Sequence, residues 1–370
     1  MAVPLLGLPL AGVHLAGRPL GPYLEFPPRT HQIVHAPFSW LMFTLLAGVI
    51  LVCISPFVLR LLTSPSRPHP DRSQHTTFPW WGSAGLLWTG LAWIIAWNRF
   101  EWMGDWQVHT FTPLWLGYIL VVNAWTEARS GRCLMRNRPW FFLRLFPVSA
   151  GFWWFFEYLN RFVENWHYPP VWEPTAWDYI WYASVPFSTV LPAVASTTDW
   201  LSTWPRFDAA FNRFWRWEWV NRPITGWAGL AAAVLGLFGL GIWPDYLFLL
   251  VWVAPLVLLT SFSWIRGEDT IFTGLRTGDW RPVCLPAIAA LICGFFWELW
   301  NVKSLAHWEY AIPFVQCCHL FEMPILGYAG YPPFGLECAV VAGLINDERG
   351  DAMSGYGIDV AQRKPRVADR

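Results

Sequence analysis

The chain predicts an all-α fold: a polytopic bundle of transmembrane helices, about nine spans, built from repeated helical hairpins. Three observations lead there. Of its 370 residues, 55% are hydrophobic and only 14% charged, against about 25% charged in ordinary soluble domains. Trp occurs 30 times, and Trp and Tyr gather at the headgroup level of membranes. Apolar runs of the length that crosses a bilayer, about 20 residues, recur along the chain and alternate with loops of unequal charge. A soluble protein this apolar would expose large patches and aggregate.

Residues 1–37 are apolar but broken by Pro4, Pro9, Pro19, Pro22, Pro27 and Pro28. They lack the basic start and the uninterrupted apolar stretch of a signal peptide, so an irregular leader on the outer side is expected. A transmembrane domain is expected over 38–345. Its candidate spans are Phe38–Leu62, Pro79–Asn98, Phe111–Trp125, Trp140–Asn160, Trp177–Thr197, Ile224–Trp243, Asp245–Ile265, Pro282–Asn301 and Met323–Ile345. The third is short, and Pro332-Pro333 must kink or break the ninth.

Loop charge gives an independent reading. Segments 63–78, 126–139, 198–223 and 266–281 carry two to four Arg each, and the segments between them hold Arg99, Arg161, Lys303 or nothing. Basic loops stay in the cytoplasm, which puts the N-terminus outside and residues 346–370 in the cytoplasm as a tail. The expected home is the cell inner (plasma) membrane. Zero net charge excludes nucleic acid as a partner, because such binding rests on phosphate neutralisation. Membrane lipid, a hydrophobic small molecule and other membrane subunits remain as partners.

A repeat runs through the hairpins at about 79–125, 140–197 and 282–345. The ends of the second, fourth and eighth spans read IIAWNRFEWMGDW, WFFEYLNRFVENWHY and FFWELWNVKSLAHWEY. Asn98, Asn160 and Asn301 align, and Trp106, Trp166 and Trp308 follow them. Glu157 and Glu298 each precede their Asn by three residues, on the same helix face, where the first copy has Ile95. All three copies point the same way, unlike the inverted repeats of many transporters. A shared membrane interface accounts for the recurring Trp and Pro; it accounts less well for the recurring Glu.

A charged side chain inside a bilayer costs on the order of 2.5–3.5 kcal/mol on insertion scales, so such residues mark sites. Glu157, Glu298 and Glu337 are the catalytic candidates, expected to converge on one pocket opening outward. Asn160, Asn301, Trp166, Trp308, Tyr310 and Glu322 are the binding candidates. Glu322 is placed at the mouth of the ninth helix, where a carboxylate favours the helix dipole. A carboxyl in apolar surroundings keeps its proton near neutral pH and serves as a general acid. Aromatic faces stabilise a carbocation, which suits an isoprenoid. The same lining suits plain binding of a carotenoid, quinone or lipid.

No metal site is expected. There is no HExxH motif, and the vicinal Cys317-Cys318 beside His319 has no zinc-type spacing. None of the nine His is mid-helix, which disfavours haem held between spans. The residues name no cofactor.

Trp297-Glu298 near a helix end, Trp308-x-Tyr310 after it, and the acidic opening Glu322-x-Pro324 resemble the lycopene cyclase domain of carotenoid-making bacteria. The match lies within the third repeat. The resemblance implies acid-initiated chemistry on a polyene end group, with Glu298 as the first acid. That family carries two adjacent carboxylates after a Pro-Leu; here a single Glu322 precedes Pro324. Beside this reading stand a structural or cofactor-holding subunit of a larger membrane complex, and a transporter.

Overall fold

The computed structural model describes residues 2–28, 34–64, 77–171 and 175–346. Arg67 and Arg72 of the first basic loop, and the tail beyond Asn346, lie outside the described residues. The chain is predominantly helical. Helices α1 (Ala2–Leu15) and α2 (Gly21–Leu24) precede α3 (Trp40–Thr63). The first hairpin pairs α4 (Trp80–Trp97) with α5 (Phe111–Ser130), which ends where Gly131 takes the left-handed conformation at φ 72°, a common helix stop. The short α6 (Leu134–Asn137) leads into α7 (Pro139–Val163), which packs on α8 (Ala176–Phe187) and α9 (Val190–Ser202). After α10 (Pro205–Phe211) come α11 (Pro223–Leu240), α12 (Pro244–Leu247) and α13 (Ala254–Ile265). The last hairpin pairs α14 (Arg281–Asn301) with α15 (Tyr331–Leu344).

Helix α9 is the hub. It packs on α5, α7, α14 and α15, and every residue from Val190 to Thr198 is buried. Ala193, Ala195, Ser196 and Thr197 are small enough to let four neighbours approach, the usual basis of helix association in lipid. The hydroxyls are used as well. Tyr118 Oη lies 2.9 Å from Thr197 Oγ1, and Asn123 donates to Ser196 Oγ at 2.8 Å.

Among the described residues three helices, α3, α11 and α14, are long and apolar enough to cross a membrane. A fourth span arises if Pro244–Trp252 and Ala254–Ile265, bent by 53°, count as one. This measure reaches four of the nine expected spans. Helices α4, α5 and α7 have the length, but their Trp, Asn, Thr and charged residues dilute them. The outward face of α3 fits lipid: none of its residues is buried.

The structure departs from the sequence reading in three places. The leader is irregular only in part, because α1 and α2 occupy 2–15 and 21–24. Four of its six prolines fall past α1, Pro4 lies in the first turn of that helix and Pro9 inside it, and α1 packs against α11. Gly12 and Gly241 meet backbone to backbone there, with no room for a side chain on either. The fifth and seventh spans are each two helices, parted at Ser188–Thr189 and at Val253. The ninth span does not start at Met323. Met323–Pro324 is extended, Ile325–Gly330 is a tight 3-10 segment, and α15 opens at Tyr331. Pro332-Pro333 occupy its first turn, where the missing N–H groups are not needed.

Candidate functional site

Helices α7 and α14 end in the same device. Asn160 Nδ2 donates to the Trp166 carbonyl at 2.7 Å, and the Trp166 N–H donates back to Asn160 Oδ1 at 3.4 Å. Asn301 does the same to Trp308, at 2.7 and 2.8 Å. Each side-chain amide thus mimics a strand partner and fixes the chain as it turns back from the helix. Two residues beyond each Trp stands a Tyr. Tyr168 Oη donates to Glu157 Oε1 at 2.6 Å, and Tyr310 Oη donates to Glu298 Oε1 at 2.7 Å.

The two returns pair with each other. Strand β1 (Trp166–His167) lies antiparallel to β2 (Glu309–Tyr310), with Trp166 opposite Tyr310 and His167 opposite Glu309. This register places a local twofold axis at the His167–Glu309 pair, relating Trp166 to Trp308 and Tyr168 to Tyr310. His167 Nε2 and His307 Nε2 reach the two oxygens of Glu309 at 3.2 and 3.5 Å, sealing the seam.

The two carboxyl cradles are alike in plan and different in finish. Glu157 Oε1 also accepts from the indole N–H groups of Trp153, at 2.9 Å, and Trp166, at 3.1 Å. In the other cradle Trp308 Nε1 donates to Tyr310 Oη instead, and the second donor to Glu298 Oε1 is Tyr331 Oη from α15, at 2.6 Å. Glu298 is fully enclosed, and its Oε2 has no hydrogen-bond partner among the described residues. Beside Glu157, by contrast, lies a cavity of about 250 Å³ walled by Leu24, Phe26, Trp154, Tyr158 and Arg161. Residues from the leader form its outer wall, held by Arg161, which donates to the carbonyls of Tyr23 and Glu25 at 3.0 and 2.7 Å.

Glu337 belongs to neither cradle. It is buried on α15 and accepts from the Leu256 N–H at 3.0 Å, one of the free donors at the start of α13 beyond the break. The three carboxyls share no hydrogen-bond partner among the described residues, and each sits in a setting of its own. Between them lies a packed aromatic layer in which Phe334 touches Trp153, Phe156, Trp252 and Trp297.

Glu322 is also displaced from expectation. It sits with Phe321 at the tip of a small hairpin between β3 (His319–Leu320) and β4 (Met323–Pro324), ahead of the 3-10 segment rather than in the first turn of α15. The first repeat has no cradle. Asn98 Nδ2 bonds its own helix at Ile94, Gln107 closes that loop, and Trp106 is 72% exposed where Trp166 is 5% exposed. Tyr168, Trp153 and Tyr331 were missed from the sequence. For Tyr168 the signal was present, since Trp166-His167-Tyr168 aligns with Trp308-Glu309-Tyr310. For Tyr331, a donor from another helix, no local pattern exists.

Beyond the helix ends, burial raises the Glu164 carboxyl to about 7 and lowers His109. Among the described residues no group of three or more His, Cys, Asp or Glu is arranged to hold a metal ion. Comparison of the chain with protein-family models, with curated proteins and with solved structures returns no match.

Proposed function

We propose that this is a nine-span protein of the cell inner membrane, N-terminus outside and C-terminus cytoplasmic, that holds a hydrophobic isoprenoid-type molecule against Glu157. The observation that carries this reading is a buried carboxyl, ringed by Trp and Tyr donors on one oxygen, with an aromatic-walled cavity at its side. At about 250 Å³ the cavity falls just below the 300–1,000 Å³ typical of small-molecule sites. It suits one ring-sized end of a carotenoid or quinone, with the rest of the molecule running out along the lipid-facing helices. Where that end group carries a double bond, Glu157 is the proton donor, and the aromatic rings of the cavity wall, Phe26 and Trp154, favour the resulting cation. The cyclase resemblance points to the same class of step, but at Glu298; the cavity favours Glu157.

A second reading, a non-catalytic structural or cofactor-holding subunit, draws on Glu298 and both Asn clamps, whose partners all lie within the chain. The test is the absorption spectrum of the protein purified in mild detergent, with mass spectrometry of its organic extract. The proposal expects a co-purifying polyene or quinone that is lost in Glu157→Gln and retained in Glu298→Gln, both variants melting as the parent does. Bulk phospholipid alone in all three would overturn it and leave the structural reading.

A further inference from the structure

The vicinal cysteines are not absorbed by either cradle. Cys133, Cys284, Cys293 and Cys338 are buried in the packing, whereas Cys318 is exposed and Cys317 half-buried. Their Sγ atoms face each other at 2.7 Å. The turn that presents them is pinned from both sides. The Cys317 N–H donates to the Val315 carbonyl at 2.6 Å, and the Ile325 N–H donates to the Cys318 carbonyl at 3.1 Å. Gln316 adds a brace, accepting from the Ile312 N–H at 3.0 Å and donating to the Tyr310 carbonyl at 2.7 Å. Cys318 is held at φ 56°, a left-handed conformation that a non-glycine residue keeps only when its surroundings impose it. The fold therefore spends conformational freedom on bringing two adjacent thiols together at an accessible surface.

We propose that Cys317 and Cys318 are a redox modification site, closing to a vicinal disulfide and reopening. Adjacent Cα atoms are about 3.8 Å apart across a trans peptide, below the roughly 4.4–6.8 Å that disulfides usually span. Such a bridge is strained, and strained, exposed bridges are the labile ones. The step is thiol–disulfide exchange. The thiolate of exposed Cys318 attacks a disulfide of a small molecule or protein, releasing one thiol and forming a mixed disulfide. Cys317 then attacks Cys318 Sγ, closing the ring and releasing the second thiol. Two thiols are oxidised here, and one external disulfide is reduced to two.

The bridge has a reader. The loop that carries it joins Tyr310 to Tyr331, the two hydroxyls on Glu298 Oε1, so closing the ring stiffens the connection between the donors of the sealed cradle. Persistence of the bridge in the cell rests on the outward orientation proposed above, because disulfides survive in oxidising compartments.

The test uses the full chain in mild detergent. It is incubated with oxidised glutathione, alkylated, digested and examined by mass spectrometry, with and without dithiothreitol. The expected peptide is two hydrogens lighter and unalkylated at both cysteines, and becomes doubly alkylated after reduction. Cys318→Ser is expected to leave Cys317 alkylated under both conditions. Double alkylation after oxidant, or glutathione adducts without ring closure, would overturn the proposal. Alkylation in intact cells by a membrane-permeant reagent separates the two ideas. A bridge found there supports both. Ring closure in detergent with free thiols in cells supports the chemistry and overturns the outward orientation.

Discussion

At the scale of single residues, the cradles predict a sharp difference between two substitutions at one position. Glu298→Gln keeps an acceptor for the hydroxyls of Tyr310 and Tyr331 and should cost no more than about 1 kcal/mol. Glu298→Ala strands both hydroxyls and opens a void, and should cost about 3 kcal/mol or more; thermal unfolding in detergent distinguishes them. Glu164 predicts a pH dependence. Its carboxyl is raised from 4.5 to about 7 by burial, so between those values the folded chain holds a proton that the unfolded chain releases. Stability therefore falls as pH climbs from about 4.5 to about 7, and the penalty is complete above that range. Glu164→Gln should flatten the melting temperature across this window. Of these residues, the sequence revealed Glu157 and Glu298 through their spacing to Asn. It did not reveal Glu164, which caps the end of α7 and whose carbonyl is met by the distant His35.

Among the helices and turns, the Asn clamp is the working part. Asn301→Ala removes two hydrogen bonds to Trp308, each worth about 1 kcal/mol, with a desolvation cost for the groups left behind. The Trp308 amide should then exchange with solvent much faster, as hydrogen exchange followed by mass spectrometry would show. Close approach between α14 and α15 makes a second prediction. A side chain on Gly335 meets the Pro286 carbonyl, and one on Gly294 meets the Tyr331 ring. Gly335→Val should destabilise by about 1–3 kcal/mol or more, the usual cost of overpacking. Most helices were legible as apolar runs, because a run of that length has few other fates. The breaks at Ser188–Thr189 and Val253 were not. Pro186 and Pro255 announce a disturbance, but whether a helix bends, splits or restarts depends on what the neighbours can satisfy.

For the molecule as a whole, the expected arrangement in the membrane follows from loop charge. Reporter fusions at the C-terminus should be active only where the reporter works in the cytoplasm, and fusions at the N-terminus only where it works outside. Identical behaviour of the two ends would break the odd span count. The likeness of the helix ends at Asn160 and Asn301 was visible in the sequence. The pairing of two repeats through a short ribbon was not, since two-residue strands leave no periodicity to read.

That ribbon has a consequence for origins. Trp166–His167 and Glu309–Tyr310 meet around a local twofold, which makes the contact self-complementary in the way isologous interfaces are. A shorter ancestral chain with one such hairpin would have left a single strand unpaired, and two copies would have closed it. Joining both copies in one polypeptide makes the partner permanent and removes the demand that they stay identical. The two hairpins of this chain differ accordingly, one with an opening beside its acid and the other closed over it.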